Sequence, residues 1–384
     1  MSLSVAYGKR INHLTIANGS DEPKMLVCPY GEKIKIKNPF WDATPLLNRK
    51  LDQSAIKQEC VVNTMRIGYI KDSTRLDALM KVVRPELAAV LNSSKHATYS
   101  QAVLFADLYV WYIVADDLLE SLQYNCTNRE LFFEYEKLLS KICFEGFGFE
   151  IGVSGRARDS DFPKTPEQTE RIQCVIDGIK DILKRAATAC FNNLQFLDLC
   201  NVIEQYIGTN AFESLQRTQQ DSCLKYDKDL KRYGQMRGYS IGQGMSIELA
   251  LILQGIYVPR HLRKTSIFQE AWNASLEFIW KANDLIGCAK DAKKNNPINS
   301  VNLIRKQRGL SQDEARRVYN KEVFEPAAAR LRHAFDPRTL ASRMKKELIA
   351  NKHDQQIISN ALKCLWHINW ASFKWNMTVA RYVP

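Results

Sequence analysis

From about residue 98 onward, apolar residues recur mostly three and four positions apart in long segments. That is the period of an amphipathic helix, and strand-like alternation bounded by Asn-Gly or Asp-Gly turns is scarce. The pattern predicts an all-helical body. Residues 108–115, LYVWYIVA, are almost wholly apolar, so the helix that carries them is expected to be buried. The first fifty residues differ: Pro23, Pro29, Pro39 and Pro45 stand among several glycines, which suits an extended strap over the helical body. Residues 146–166, GFGFEIGVSGRARDSDFPKTP, mix glycine, serine, proline and charge and read as a loop joining two helical halves. Neither internal repeats nor a break in composition sets off a further domain. The expectation is an all-α fold, a single-domain helical bundle over 51–384 preceded by a strap over 1–50.

Composition narrows the class. A chain of 384 residues with 45% hydrophobic and 25% charged residues has the makeup of an ordinary globular protein, not of a disordered or fibrous one. No apolar run approaches the roughly 20 residues of a membrane-spanning helix. The opening residues lack the hydrophobic block of a secretion signal, so no membrane span and a cytoplasmic location are expected. Ten cysteines without CxxC pairs or histidines at metal spacing argue against zinc and against a disulfide framework. A net charge of +12 asks for a polyanionic partner: nucleic acid, a membrane surface or a phosphorylated small molecule.

Two polar clusters carry candidate chemistry. Asp116, Asp117 and Glu120 follow directly on the apolar run; Asp116 and Glu120, one turn apart, share a helix face that Asp117 flanks. Clustered carboxylates of this kind suit a hard divalent cation such as Mg²⁺, although acidic helix ends more commonly just face water. Downstream, Asn283, Gly287 and Asp291 form a second stripe with Lys290 beside it, open to the same two readings. Gly287 costs its helix about 1 kcal/mol against alanine, which suggests close approach by a ligand or by another helix. Arg237 lies 46 residues before Asn283 in a segment rich in glycine and aromatic residues. Near the end, Trp366, Trp370, Phe373 and Met377 fall on one helical face, and Arg381-Tyr382 follows. Such a stripe is more often core than ligand wall.

Taken together, these segments resemble a class I terpene synthase of the single α-domain type found in microbes and marine invertebrates, over about residues 111–382. Trp111 and Asp116-Asp117-Leu118-Leu119-Glu120 match the family's aspartate-rich motif with its tryptophan five positions upstream. Asn283, Asp284, Gly287, Lys290 and Asp291 match its second metal motif, (N/D)Dxx(S/T)xxxE with a lysine before the acid. Arg237 stands where the family has its diphosphate-sensing arginine, and NPINSVNLIRKQRGLSQDEA and Arg381-Tyr382 are similar to its asparagine-rich turn and C-terminal RY pair. Two positions depart: Gly287 replaces a hydroxyl ligand, and Asp291 is one methylene shorter than the usual glutamate. The chain lacks a DxDD motif and is too short for further helical domains, so protonation-initiated cyclisation is not expected.

The resemblance implies a helical bundle of the isoprenoid synthase type with the two motifs facing each other across its mouth. It implies three Mg²⁺ ions, with Mn²⁺ an alternative. Asp116, Asp117 and Glu120 would serve one metal subsite and Asn283 and Asp291 the other, with Asp284 structural. Arg237, Lys290, Arg381 and Tyr382 would hold the diphosphate of a prenyl substrate. Trp111, Tyr112, Phe278, Trp280, Trp366 and Trp370 would wall the hydrocarbon pocket. The implied reaction is a carbon–oxygen lyase step: farnesyl or geranylgeranyl diphosphate is ionised and cyclised to a sesquiterpene or diterpene, in a monomer or homodimer. A prenyl-chain elongating synthase shares fold and metals but carries two aspartate-rich motifs, whereas the second motif here begins with Asn283. A basic nucleic-acid-binding protein suits the charge, but no recognised reading module supports it. A non-catalytic helical binding protein would follow if Gly287 left its metal site incomplete.

Overall fold

Helices begin and end where the sequence supplies caps. Asp52 opens the first by accepting from Ser54 N and Ala55 N at 2.8 and 3.2 Å, and Gly68 closes it at a left-handed φ of 87°. Ser311 and Glu314 form a reciprocal capping box further on. The computed structural model describes residues 40, 50–94, 96–125, 166–218, 230–293, 296 and 298–379. The strap expected over 1–50, apart from Phe40 and Lys50, and the loop expected over 146–166, apart from Pro166, lie outside the described residues.

In chain order the helices are α1 (Gln53–Ile67), α2 (Ser73–Val83), α3 (Pro85–Asn92), α4 (Tyr99–Asn125), α5 (Pro166–Ala189), α6 (Asn193–Thr218), α7 (Leu230–Ser240), α8 (Gln243–Leu253) and the single turn α9 (Arg260–Arg263). After them come α10 (Ser266–Lys293), α11 (Ser300–Arg308), α12 (Gln312–Tyr319), a π-helical turn at Asn320–Phe324, α13 (Glu325–Ala334), α14 (Pro337–Lys346) and α15 (Lys352–Asn376). No strand occurs among the described residues, so the all-α expectation holds. None of the described helices is long and apolar enough to cross a membrane.

α8 is buried at almost every position, and its neighbours α6 and α15 leave it no solvent face. α4 packs on α1, α3, α5 and α6, while α10 packs on α7, α11, α13 and α15. α15 bridges the halves by touching both α3 and α10. A buried polar clasp ties the centre together: Gln243 Nε2 donates to Asn369 Oδ1 at 3.2 Å, and Asn369 Nδ2 donates to Ser275 Oγ at 2.7 Å. Fully buried amides must find partners, so this clasp sets the register of α8, α15 and α10. Phe40 also enters the core, edge-on to Phe278 and Trp366.

α4 is pinned by a buried acid one turn ahead of its apolar run's aromatic residues. Asp107, 5% exposed, accepts from Asn63 Nδ2 on α1 at 2.9 Å and pairs with Arg185 on α5 at 2.8 Å. Burial pushes its carboxyl up to about 6, against the downward pull of Arg185. Because this folded pKa lies above the unfolded one, the folded chain holds the extra proton between them. The group's contribution to stability is therefore full below about pH 4 and lost as pH rises through about 6. Asp107→Asn removes the titration, so from pH 4 to pH 7 the stability difference should move in the variant's favour, by at most about 3 kcal/mol. Denaturant midpoints of both proteins at the two pH values measure it; a difference flat with pH would mean that Asp107 is ionised throughout.

Candidate active site

The second polar motif begins near the C-terminal end of the buried stretch of α10, and consecutive residues there point to different places. Asp284, 1% exposed, faces inward. Its Oδ2 accepts from Tyr233 Oη at 2.7 Å and from both the backbone N–H and the hydroxyl of Ser300 at 3.0 and 2.6 Å. Its Oδ1 accepts from Arg237 Nε and Nη2 at 3.3 and 3.1 Å. A buried carboxylate is tolerable only when paired and hydrogen-bonded, and α7 and α11 supply those partners. Every one of these bonds ties Asp284 into the packing of α10 on α7 and α11.

Arg237, on the last turn of α7, is the hub of the network. Its Nη1 donates to Glu213 Oε1 at 3.2 Å and to Ser240 Oγ at 3.1 Å, and its Nη2 also reaches Asn283 Oδ1 at 3.2 Å. Ser240 closes the ring by donating to Glu213. Burial alone would lower the pKa of Arg237, but Glu213 and Asp284 beside it push it well above the usual guanidinium value. It stays charged, held by two carboxylates, with its fork against the Asn283 side chain. One helical position after Lys290, Asp291 accepts from Asn299 Nδ2 at 2.8 Å; the same Nδ2 donates to the Asp284 carbonyl at 2.9 Å. Burial raises the pKa of Asp291, with Lys290 and Asn299 pulling it back.

Immediately after Arg237 the helix breaks. Gly242 takes a left-handed φ of 72°, which separates α7 from α8 and turns the Ile241 carbonyl towards α4, where Tyr112 Oη donates to it at 3.1 Å. A Cβ at Gly242 would stand 3.0 Å from the Tyr112 ring and 3.1 Å from Met245 Cε, so both backbone angle and space call for glycine. The break opens one wall of a cleft lined by Leu108, Tyr109 and Tyr112 of α4, Ile241, Gly242, Gln243, Met245 and Ser246 around the break, Ile279 and Asn283 of α10, and Ser372, Trp375 and Asn376 of α15. Asp116 is the next residue after Tyr112 on the same stripe of α4, one turn further on. Asp116 is half-buried and Asp117 exposed. The side chain of Glu120, together with Arg381 and Tyr382, lies outside the described residues.

The cleft encloses about 420 Å³ of non-atom space, part of which is open solvent at its mouth. Room for the centre of a water-sized sphere is only about 30 Å³, so the walls stand close together and a prenyl chain needs side chains to turn aside.

Of the six aromatic residues expected to wall a pocket, Tyr112 lines the cleft and five do not. Trp111 faces the opposite side of α4, its Nε1 on the Val175 carbonyl at 2.9 Å. Phe278 packs in the core with Phe324 and Phe373. Trp280 lies edge-on to Tyr233 on the outer side of α10. Trp366 packs against Phe40 and Phe335, and Trp370 stacks on His367. The C-terminal helix presents the neighbouring stripe, Ser372, Trp375 and Asn376, to the cleft. A signal for it existed: Asn369, Ser372 and Asn376 recur at helical spacing as polar positions in an apolar helix. Glu213, which completes the Arg237 network, carried no such signal.

Among the described residues no three His, Cys, Asp or Glu side chains gather as a ready-made metal cluster. The candidate donors are split between two helices: the carboxylates Asp116 and Asp117 on α4, the Asn283 amide and Asp291 on α10. All are oxygen donors, with neither thiolate nor imidazole, which fits a hard divalent cation and not a soft one. Gly287, buried on α10, offers no donor.

The different tasks of Asp284 and Asn283 can be separated by stability. Asp284→Ala strands Tyr233 and Ser300 and removes one of the two carboxylates that hold Arg237, so it should cost about 3–5 kcal/mol, while Asn283→Ala gives up a neutral amide's hydrogen bond to Arg237 and should cost about 1 kcal/mol. Thermal melts of the two variants decide; equal losses would mean that Asn283 is part of the same structural anchor.

Comparison with known proteins agrees with this architecture. No curated protein matches the chain in sequence. Among solved structures it is similar to a single-substitution variant of cucumene synthase, with 16% identity and a TM-score of 0.66 over 89% of this chain and 99% of that one. It is also similar to germacradien-4-ol synthase from Streptomyces citricolor, at 14% identity and a TM-score of 0.63 over 87% and 96%. Linalool/nerolidol synthase from Streptomyces clavuligerus matches at 13% identity and a TM-score of 0.64 over 87% and 99%. These are likenesses of fold. The family model described as terpene synthase family 2, C-terminal metal binding, matches residues 107–325, which hold Asp116, Arg237, Asn283 and Asp291 alike. That match spans more than half of the 384 residues, and the chain belongs to this terpene synthase family.

Proposed function

We propose that this terpene synthase ionises an allylic prenyl diphosphate, farnesyl or geranylgeranyl diphosphate, and cyclises the cation to a sesquiterpene or diterpene skeleton. The observation that carries the reading is the shared cleft: Tyr112, one turn below Asp116, lines it on α4, and Asn283 lines it on α10. Asp116, Asp117 and Glu120 would hold metal at one side and Asn283 and Asp291 at the other. Mg²⁺ bound there would supply Lewis-acid neutralisation of the departing diphosphate.

The chain's own groups do the rest. Arg237 and Lys290, with Arg381 and Tyr382, would bind the diphosphate oxygens by charge-assisted hydrogen bonds. For Arg237 this means sharing a guanidinium already engaged by Glu213 and Asp284, so the diphosphate would compete for the Nη2 that now faces Asn283. Leu108, Met245 and Ile279 exclude bulk water from the cation, and the faces of Tyr112 and Trp375 stabilise it by up to about 2 kcal/mol each when desolvated. No side-chain acid is required, because the bond breaks by departure of an anion.

Purified protein incubated with C10, C15, C20 and C25 prenyl diphosphates, with and without Mg²⁺, should give a metal-dependent product from one or two of them, identified by gas chromatography with mass detection. Added isopentenyl diphosphate should not be consumed. Asp116→Ala and Asn283→Ala should each lower turnover by at least about a hundredfold, the loss expected when metal support is removed. Gly287→Ser, which restores a hydroxyl, should retain activity. Near-normal turnover in both alanine variants would overturn the metal assignment.

A further inference from the structure

The cleft has two unlike ends. Tyr109 precedes Asp116 by seven residues on α4, which places it roughly 10 Å further down the helix axis from the carboxylates. At that depth the lining is not uniformly apolar. The hydroxyls of Tyr109, Ser246 and Ser372 come from three different helices and meet at the floor, each residue more than nine-tenths buried. If the floor served only to shield a cation, aliphatic and aromatic side chains would suffice, and three hydroxyls would be a hazard to it.

These hydroxyls are not fully satisfied by the protein. Ser372 Oγ is buried without a hydrogen-bond partner. Tyr109 Oη accepts from Asn92 Nδ2 at a long 3.3 Å and keeps its own proton to donate. Burial raises the Tyr109 pKa; the nearby Ser372 and Ser246 hydroxyls draw it back, so they lie close to it even though Ser372 forms no bond of good geometry. A buried unpaired hydroxyl is costly unless something pairs with it. The whole cleft has about 30 Å³ of room for water centres, against the roughly 10–15 Å³ that one water needs, so it admits a small number of waters. A buried water also needs two to four polar partners, which Tyr109, Ser246 and Ser372 supply.

We propose that the floor of the cleft is a water site and that the reaction ends there by water capture, releasing a terpene alcohol. The inference rests on the prenyl-diphosphate reading above. A lone pair of the held water forms the C–O bond to the cationic carbon. The resulting oxonium loses one proton to the second water, which carries it out to solvent when the product leaves. The sum is prenyl diphosphate plus water giving alcohol, diphosphate and a proton, with no change of oxidation state. Since the floor lies two helical turns below Asp116, the hydroxyl goes to a carbon distant from the one that carried the diphosphate. Ser372 and Tyr109 act here as positioning residues, holding the nucleophile.

Turnover of the farnesyl and geranylgeranyl substrates in H₂¹⁸O, with the product analysed by mass, tests this. The expected product is an alcohol two mass units heavier than in ordinary water. In Ser372→Ala and Tyr109→Phe the alcohol-to-hydrocarbon ratio should fall at least about tenfold, towards hydrocarbon formed by proton loss. Ser93→Ala removes another buried, unpaired hydroxyl that lies outside this cleft, and should keep the wild-type ratio. A wild-type product that is hydrocarbon alone would overturn water capture while leaving the cyclase reading intact. So would an alcohol whose ratio is unmoved in both floor variants, or one whose oxygen is unlabelled and came from the diphosphate. No turnover of any prenyl diphosphate would bring down the cyclase reading and this inference with it.

Discussion

The structure turns on one buried carboxylate. Asp284 sits buried in the C-terminal third of α10 with a charge that can remain there only if its oxygens are matched. Tyr233 and Arg237 from α7 and Ser300 from α11 provide the match. Those bonds fix where α7 ends relative to α10 and how α11 leaves it. Asn283, one residue earlier and therefore turned about 100° around the helix axis, is aimed at the cleft by the same constraint. The anchor and the candidate ligand are neighbours in sequence because one buried helix serves both.

The consequence for chemistry is a cleft graded along its depth. Asn283, held by Arg237, lines its rim; Ile279, Leu108 and Met245 line its middle; at the floor lie the hydroxyls of Tyr109, Ser246 and Ser372. The break at Gly242 makes this gradient possible. A continuous helix through Ile241 would keep that carbonyl in its own ladder instead of turning it to Tyr112, and would close the wall between α7 and α8. The Arg237 guanidinium, one turn before the break, ties the state of the rim to the position of that wall through Ser240.

The charge of the chain plays a smaller part at the site than its size suggests. Arg237 is met by Glu213 and Asp284, Arg185 by Asp107 and Asp181, and Arg263 by Glu248 and Asp198. Each of these partly buried cations is matched by two carboxylates, as desolvation demands. The net charge of +12 therefore describes mainly the surface, and the local pairing of Arg237 governs how an anion would be received.

The sequence by itself determined the helical class, because the three- and four-residue period and the caps are local properties that each segment carries alone. It also set Asp116, Arg237, Asn283 and Asp291 within the stretch that the family model matches, and helical geometry converts the spacing of Asn283 and Asp291 into a shared face. Tertiary structure decided which face looks where. Trp366 and Trp370 form as good an apolar stripe as any ligand wall, and only the packing of α15 on α3, α8 and α10 turns them away from the cleft, half-buried against the core, and presents Ser372, Trp375 and Asn376 to it. The same holds for Trp111, whose place in the motif gives no hint that its indole reaches the Val175 carbonyl across α5. Glu213 and Tyr109 are legible only in three dimensions. Their partners come from other helices, and contacts between segments far apart in sequence leave no period in either one.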